Sequence, residues 1–484
     1  MIRWGYVLHV VGALLVCVGL FMILPLGFSL YYQDQGVWAL LEAMAVCSGV
    51  GLFLYAAFKG APYRSPITHR EGMAITTLGW FAVGVFGALP FFCSGILSSP
   101  VDAIFESVSG FTTTGASVIR DVEIIPKGLL FWRSLTHWLG GMGIILLGLA
   151  ILPFLGVGGM QLYKAEVPGP VVDKLRPRIR DTAMILWKVY VFFTVAETIL
   201  LALAGMDLFD SLCHTFGTLA TGGFSTKNAS IGYYHSVYIQ ALVTVFMLLG
   251  GINFALHFQM FRGKPLTLWR DPEFRFFMGV FLILTGIITW SNYGASYPSL
   301  GQSFQYASFQ VASILTTTGY ATADFKLWGP LPQCLLVLCM FIGGSVGSTG
   351  GSMKCMRIMV VAKHSYQELL RLIHPRMITS LRMGRQSVPL EVLSGISAFV
   401  ILFLGLLAVS TFLVAATGID IVTSFTAALA CMGNVGPGLG AVGPADNYAW
   451  VPTFAKWILI MDMLLGRLEI YTVIILLVPR FYKK

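Results

Sequence analysis

Four short segments of this chain, FTTTG (Phe111–Gly115), TLATG (Thr218–Gly222), LTTTG (Leu315–Gly319) and MGNVG (Met432–Gly436), end in glycine between strongly apolar stretches. The chemistry open to such a pattern is coordination of a cation by backbone oxygens. Turning successive carbonyls the same way requires left-handed or otherwise unusual dihedrals at alternate residues, which glycine adopts at little cost. The preceding Thr114, Thr221, Thr318 and Val435 are compact β-branched residues suited to stiffening a strand behind the carbonyls. The candidate coordinating residues are therefore Thr113, Thr114 and Gly115; Ala220, Thr221 and Gly222; Thr317, Thr318 and Gly319; and Asn434, Val435 and Gly436. Beyond the glycine the four loops share no residue, which predicts a short, asymmetric filter.

Those glycines recur on the order of 100 residues apart, too far for a solenoid and about right for two membrane helices and a loop. The composition agrees. A chain of 484 residues with 56% hydrophobic and 11% charged residues and a mean hydropathy of +0.79 is a polytopic membrane protein. Apolar runs long enough to cross the hydrocarbon recur about ten times, and no soluble domain fits between them. The first run, about 6–31, lacks a small-x-small cleavage site and reads as a retained helix.

The fold class expected is an all-α polytopic membrane protein: an N-terminal transmembrane hairpin (1–69) and four pseudo-symmetric repeats, at 70–181, 182–273, 274–387 and 388–484. Each repeat has an outer helix, a short helix, the glycine loop and an inner helix. The stretch before each glycine is too short to span and must be re-entrant, so the loop lies at membrane depth. Asp102, Asp210, Ser303 and Asp420 are the residues expected to cap the short helices. Their C-terminal ends then point inward, aiming partial negative charge at the axis, which favours cations.

The formal net charge is +9, yet its placement argues for topology rather than nucleic-acid binding. Basic residues concentrate in alternate segments, at Arg3, 59–70, 164–188, 262–275, 354–385 and the tail, which places these and both termini in the cytoplasm. The opposite loops carry Asp34, Asp102, Glu123, Asp207, Asp324 and Asp446, among others. The eight cysteines are scattered through apolar sequence without C-x-x-C, and His137, His214 and His257 have no ligand-like spacing. Neither a zinc site nor an enzyme is expected.

A second device interrupts the third inner helix: Gly343, Gly344, Ser345, Val346, Gly347, Ser348, Thr349, Gly350, Gly351 and Ser352. Helical backbone lost in lipid costs several kcal/mol per unsatisfied group unless it faces a water-filled cavity or buried polar partners. This run is therefore expected to be a gating loop at 343–352. Arg467 lies near the middle of the last apolar run, where a guanidinium costs at least about 2.5–3.5 kcal/mol. It either lines the cavity as a barrier to cations or is tied to an acid or carbonyl on a neighbouring helix. Glu106 and Glu197 are expected to serve structural hydrogen bonding; for Asn253 bonding behind a loop is an option, with an ordinary structural role preferred.

The fourfold glycine loop on one chain, the Gly/Ser-rich break in the third inner helix and the Arg in the fourth resemble the TrkH/TrkG/KtrB superfamily of potassium transporters. The resemblance covers the whole chain; the N-terminal hairpin and WRSLTHWLGGMG (Trp132–Gly143) are closer to its TrkH and TrkG members than to KtrB. It implies four potassium-channel-like repeats, a homodimer in the bacterial inner membrane, and potassium held by backbone carbonyls. It also implies gating by a cytoplasmic TrkA-like ring of RCK domains. No G-x-x-x-x-G-K-[ST] occurs here, so a nucleotide, ATP/ADP or NAD, is expected on that partner and no cofactor in this chain. A coupled symporter taking up potassium with H⁺ or Na⁺ is the alternative, disfavoured because the repeats are parallel rather than inverted.

Overall fold

The computed structural model describes residues 2–59, 68–143, 179–374, 381–384 and 386–482. The hairpin consists of Trp4–Phe21, continued by Ile23–Tyr32, packed against Gly36–Ala57. The crossing is close because it runs over glycine: a Cβ on Gly12 would lie 2.7 Å from the Gly51 carbonyl. The hairpin is pinned to the first repeat at both ends. Arg3 pairs with Glu71 at 2.7 Å, and the Gly128 amide donates to Asp34 at 2.9 Å.

The outer, short and inner helices of repeat 1 are His69–Phe86, Pro100–Phe111 and Lys127–Trp138. Those of repeat 2 are Ile179–Leu203, Leu208–Leu219 and Val237–Gly251. Repeat 3 has Pro272–Asn292, Leu300–Leu315 and Pro330–Phe341, and repeat 4 has Leu390–Ala415, Ile421–Met432 and Thr453–Arg467. Among the described residues, six helices are long and apolar enough to span. Their outer faces display residues such as Phe53, Leu203 and Phe412, which only a hydrocarbon environment satisfies. The chain is thus a multi-pass, mainly helical membrane protein, whose strands among the described residues are one two-residue pair at 382–387.

The short helices have 12, 12, 16 and 12 residues. At 1.5 Å per residue they extend about 18–24 Å, less than the bilayer core, as re-entrant elements should. Their caps differ from expectation at three of four positions. Asp420 caps its helix, accepting from Thr423 N at 3.0 Å. In repeats 2 and 3 the caps are Asp207 and Ser299, while Ser99 precedes Pro100 in repeat 1 without a side-chain bond. Asp102 and Asp210 fall in the first turn, where carboxylates still favour the helix N-terminus. Ser303 instead donates to Thr289 O at 2.7 Å, tying short helix to outer helix.

All four inner helices are interrupted below the loops. The first passes into a π-turn at Leu139–Gly143, beyond which its expected run to 155 lies outside the described residues. The second bends by 103° into Phe254–Phe261, with Asn253 capping the new helix by accepting from Ala255 N at 2.8 Å. The third is broken at 342–354, between Pro330–Phe341 and Cys355–Ile373, and the fourth at Leu468. Such irregular backbone is tolerated at membrane depth only where protein or a wet cavity satisfies it.

Candidate functional site

The segment following each short helix carries two left-handed residues spaced by two: Thr113 and Gly115, Thr221 and Gly223, Thr317 and Gly319, Asn434 and Gly436. The alternation expected for aligned carbonyls is present in all four loops. It also corrects the register of the second, where the counterpart of Gly115, Gly319 and Gly436 is Gly223, one residue after Gly222. Hydrogen bonding agrees: Thr114, Gly222, Thr318 and Val435 occupy equal positions, their amides donating to Ser109, Gly217, Ser313 and Ala430 carbonyls at 2.8–2.9 Å. The adjacent pair Gly222–Gly223 hides this in the sequence, because either glycine can end the pattern.

The four loops close into a ring. A Cβ on Gly115 would collide with the Gly222 carbonyl oxygen, on Gly223 with that of Thr318, on Gly319 with that of Val435, and on Gly436 with that of Thr114. Each glycine therefore presses on the next loop's carbonyl, and the fourth returns to the first. An open cavity of about 150 Å³ touches all four glycines on the side of the residues that follow them; Ser117, Lys227, Asp446 and Tyr448 are among its lining. The short helices end at this ring, so the negative poles of four helix dipoles converge there.

Side chains behind the ring fix it in place. Arg133, on the first inner helix, pairs with Glu106 at 2.6 Å, donates to Ser225 O at 3.0 Å and lies over the Phe224 ring at 3.5 Å. Glu106 accepts in turn from Ser117 Oγ and Val118 N, so this buried pair joins loops 1 and 2. Glu106 thus serves the structural bonding expected of it; the signal for its partner was Arg133 itself, a cation in a membrane helix that, like Arg467, needs a counter-charge or acceptor. Tyr320 donates to His214 O and Phe224 O at 3.0 and 3.1 Å, and Tyr448 to Gly436 O at 2.8 Å. Outside the membrane, Asn228 donates to Asp121 at 2.8 Å and holds that carboxyl below its ordinary pKa.

The segment 343–352 packs against the ring from the helix-end side. Gly351 N donates to Thr317 Oγ1 at 2.7 Å, and a Cβ on Gly350 would lie 3.0 Å from Thr316 O. Its broken backbone is satisfied by neighbouring repeats: Ser345 N donates to Gly251 O at 2.8 Å, and Gly347 O accepts from Phe254 N at 3.1 Å. Thr349 Oγ1 donates to Leu219 O and Gly250 O. Glu273 accepts from both Val346 N and Met356 N at 2.9 Å, tying the segment to the helix that follows it, a role invisible in sequence because it lies on the outer helix of the same repeat. Lys354 bonds the Gly350 carbonyl.

Arg467 joins this segment to the first inner helix. Nη1 donates to Thr349 O at 2.8 Å and Nη2 to Gly141 O at 2.8 Å, with Gly140 O a further acceptor. Of the two placements left open by the sequence, the guanidinium adopts the carbonyl-bonded one, on the segment at 343–352 and the first π-turn together. Among the described residues, no group of three or more His, Cys, Asp or Glu is placed to hold a metal.

Comparison with known proteins extends over the whole arrangement. A family model described as "TrkH: Cation transport protein" matches residues 41–482. The Trk system potassium uptake protein TrkH of Halomonas elongata is 43% identical over 99% of both chains, and that of Escherichia coli K12 is 41% identical over 98% of this chain and 99% of its own. The crystal structure of the potassium transporter TrkH from Vibrio parahaemolyticus superposes with a TM-score of 0.90 at 38% identity, covering 100% of each chain. A match of this extent in sequence, fold and repeat architecture means that the chain belongs to the TrkH family of cation transport proteins.

Proposed function

We propose that this chain is the pore subunit of a potassium uptake system of the bacterial inner membrane, with both termini cytoplasmic. The observation that carries the reading is the closed ring of four loops, each glycine seated on its neighbour's carbonyl, at the converging ends of four re-entrant helices. Potassium is the substrate named for the relatives. An ion entering the ring exchanges water for backbone oxygens of residues 113–115, 221–223, 317–319 and 434–436, and the membrane potential supplies about 2.3 kcal/mol per charge per 100 mV for inward movement.

The segment 343–352 acts as the gate below this filter, and Arg467 is its latch. Gly350 and Gly351 contact loops 3 and 4 while Thr349 is held by the guanidinium, and in this reading the segment lies across the route an ion takes after the filter. Release of the latch is assigned to a cytoplasmic TrkA-like partner with RCK domains that binds ATP/ADP or NAD, and the pore works as a homodimer, as the resemblance implies. Conduction is channel-like, with no coupling ion.

The test is the reversal potential of the purified protein in liposomes under separate potassium, sodium and proton gradients. Reversal near the potassium equilibrium potential supports the reading. Reversal that follows protons or sodium overturns it in favour of a coupled symporter.

A further inference from the structure

We propose that His137 is a specificity-determining support of the second filter loop, standing in for the β-branched side chain that the other three loops carry themselves. This rests on the filter reading above. His137 is fully buried and sits one turn beyond Arg133 on the inner helix of repeat 1. Its Nε2 is 3.1 Å from Phe224 N and its Nδ1 is 2.8 Å from Gly110 O. A backbone amide can only donate, so Nε2 accepts and carries no proton. The proton therefore resides on Nδ1 and is donated to Gly110 O. One neutral ring thus ties the end of the first short helix to the residue that follows the ring glycine of the second loop.

The position it supports is otherwise anomalous. Thr114 and Thr318 are hydrogen-bonded to Thr112 and Thr316 at 2.8 and 2.7 Å, and these bond Val108 O and Ala312 O at 2.7 Å. Loop 4 places Val435 there. Loop 2 has Ala220 and Gly222 instead, with neither hydroxyls nor branching. Gly222 is not left-handed, so its backbone does not require glycine. What excludes a side chain is the imidazole: a Cβ would lie 2.5, 2.6 and 2.7 Å from Cγ, Nδ1 and Cδ2 of His137. The ring also lies against that of Phe224, tilted by 31° with centroids 4.1 Å apart. The volume missing from Gly222 is therefore filled by His137, and the carbonyl of Gly222, the one facing Gly115, is backed by a side chain from another repeat.

Selectivity of a carbonyl ring depends on how firmly its oxygens are held. A residue needed only for packing would alter stability and leave ion discrimination untouched. The experiment reconstitutes the full chain in vesicles of one phospholipid composition and reads the bi-ionic potassium/sodium reversal potential, with thermal unfolding in parallel. Wild-type protein must first discriminate; failure there would sink the filter reading rather than this inference.

His137→Ala is expected to lower the potassium/sodium permeability ratio about tenfold, corresponding to about 1.4 kcal/mol. His137→Ala with Gly222→Val rebuilds the arrangement of loop 4 and is expected to recover most of that ratio. A folded His137→Ala protein with the wild-type ratio overturns the proposal, as does a folded double variant no more selective than the single. If His137→Ala yields no folded protein, the double variant decides: near-native selectivity supports the assignment and unselective conduction refutes it.

Discussion

Replacing Arg467 separates a latch from an electrostatic barrier. Its guanidinium donates to Thr349 O on one side and to the Gly140 and Gly141 carbonyls on the other, so it bridges the segment at 343–352 to the first inner helix. A hydrogen bond to a charged group contributes about 1.5–3 kcal/mol net. Counting only the bond to Thr349, Arg467→Ala should shift the open-to-closed balance of the segment about tenfold to a hundredfold, at about 1.36 kcal/mol per factor of ten. The assay is potassium efflux from proteoliposomes without any partner protein, normalised to folded protein. Arg467→Lys is the informative control. It keeps the charge, but a compact ammonium lacks the planar fork that reaches two sets of carbonyls. If the residue is a latch, both variants raise flux. If Lys restores the wild-type rate, charge in the cavity is the barrier, and an unchanged rate in folded Arg467→Ala refutes both.

Three further outcomes follow from the same geometry. Gly223→Ala should abolish potassium uptake, because a left-handed alanine costs about 1–2 kcal/mol and its methyl group meets the Thr318 carbonyl, whose position is fixed by the next loop; normal uptake would disprove the register assigned here. Arg133→Leu leaves the Glu106 carboxylate buried without its cation and should destabilise the protein by about 3–5 kcal/mol, seen as a lower unfolding temperature in detergent, whereas Glu106→Leu with Arg133→Leu should cost less than the sum of the singles. Thr317→Val keeps the shape and removes the acceptor for Gly351 N, a loss of about 1–3 kcal/mol at the contact between the segment at 343–352 and loop 3. Partner-free flux should rise, and a rate equal to wild type would show that this bond does not hold the segment.

The repeats were legible because each loop needs a glycine where a left-handed residue also presses on the next loop's carbonyl, and because apolar run length reports membrane crossings directly. The Gly/Ser run at 343–352 was legible for a different reason: so dense a run of glycine and hydroxyl residues does not sustain a helix, whatever dihedrals it adopts. Gly222 misled because two adjacent glycines have different causes: Gly223 is required by its dihedral and the neighbouring carbonyl, Gly222 by an imidazole 85 positions earlier in the chain. Capping was misread at Ser303, whose hydroxyl serves a tertiary contact, and at Asp102 and Asp210, which lie inside the first turn. Glu273 and the bend at 252–253 were invisible because each depends on a partner in another element, and Arg133 showed that it needed a partner but not which one, since one chain's periodicity records burial but not partners.

Strain in the ring is distributed unevenly, and this bears on why the loops differ. Thr113, Thr221 and Thr317 hold φ of 54°, 53° and 61°, a conformation in which a β-branched residue is an outlier. Such strain costs on the order of 1–3 kcal/mol per residue and persists only where surrounding structure over-determines it. The fourth loop places Asn434 there at φ 52°, and asparagine tolerates this region. It also uses its amide to hold its neighbours, donating to Thr114 Oγ1 and Met463 O at 3.0 Å. Closure of the ring constrains the same two backbone positions in every loop, while what stands behind them is open to substitution: a threonine pair in loops 1 and 3, a histidine from another repeat in loop 2, valine and a bonded amide in loop 4. Asymmetry in sequence is therefore compatible with a nearly fourfold arrangement of carbonyls, and selectivity should be more sensitive to the supports peculiar to loops 2 and 4 than to the threonines that loops 1 and 3 duplicate.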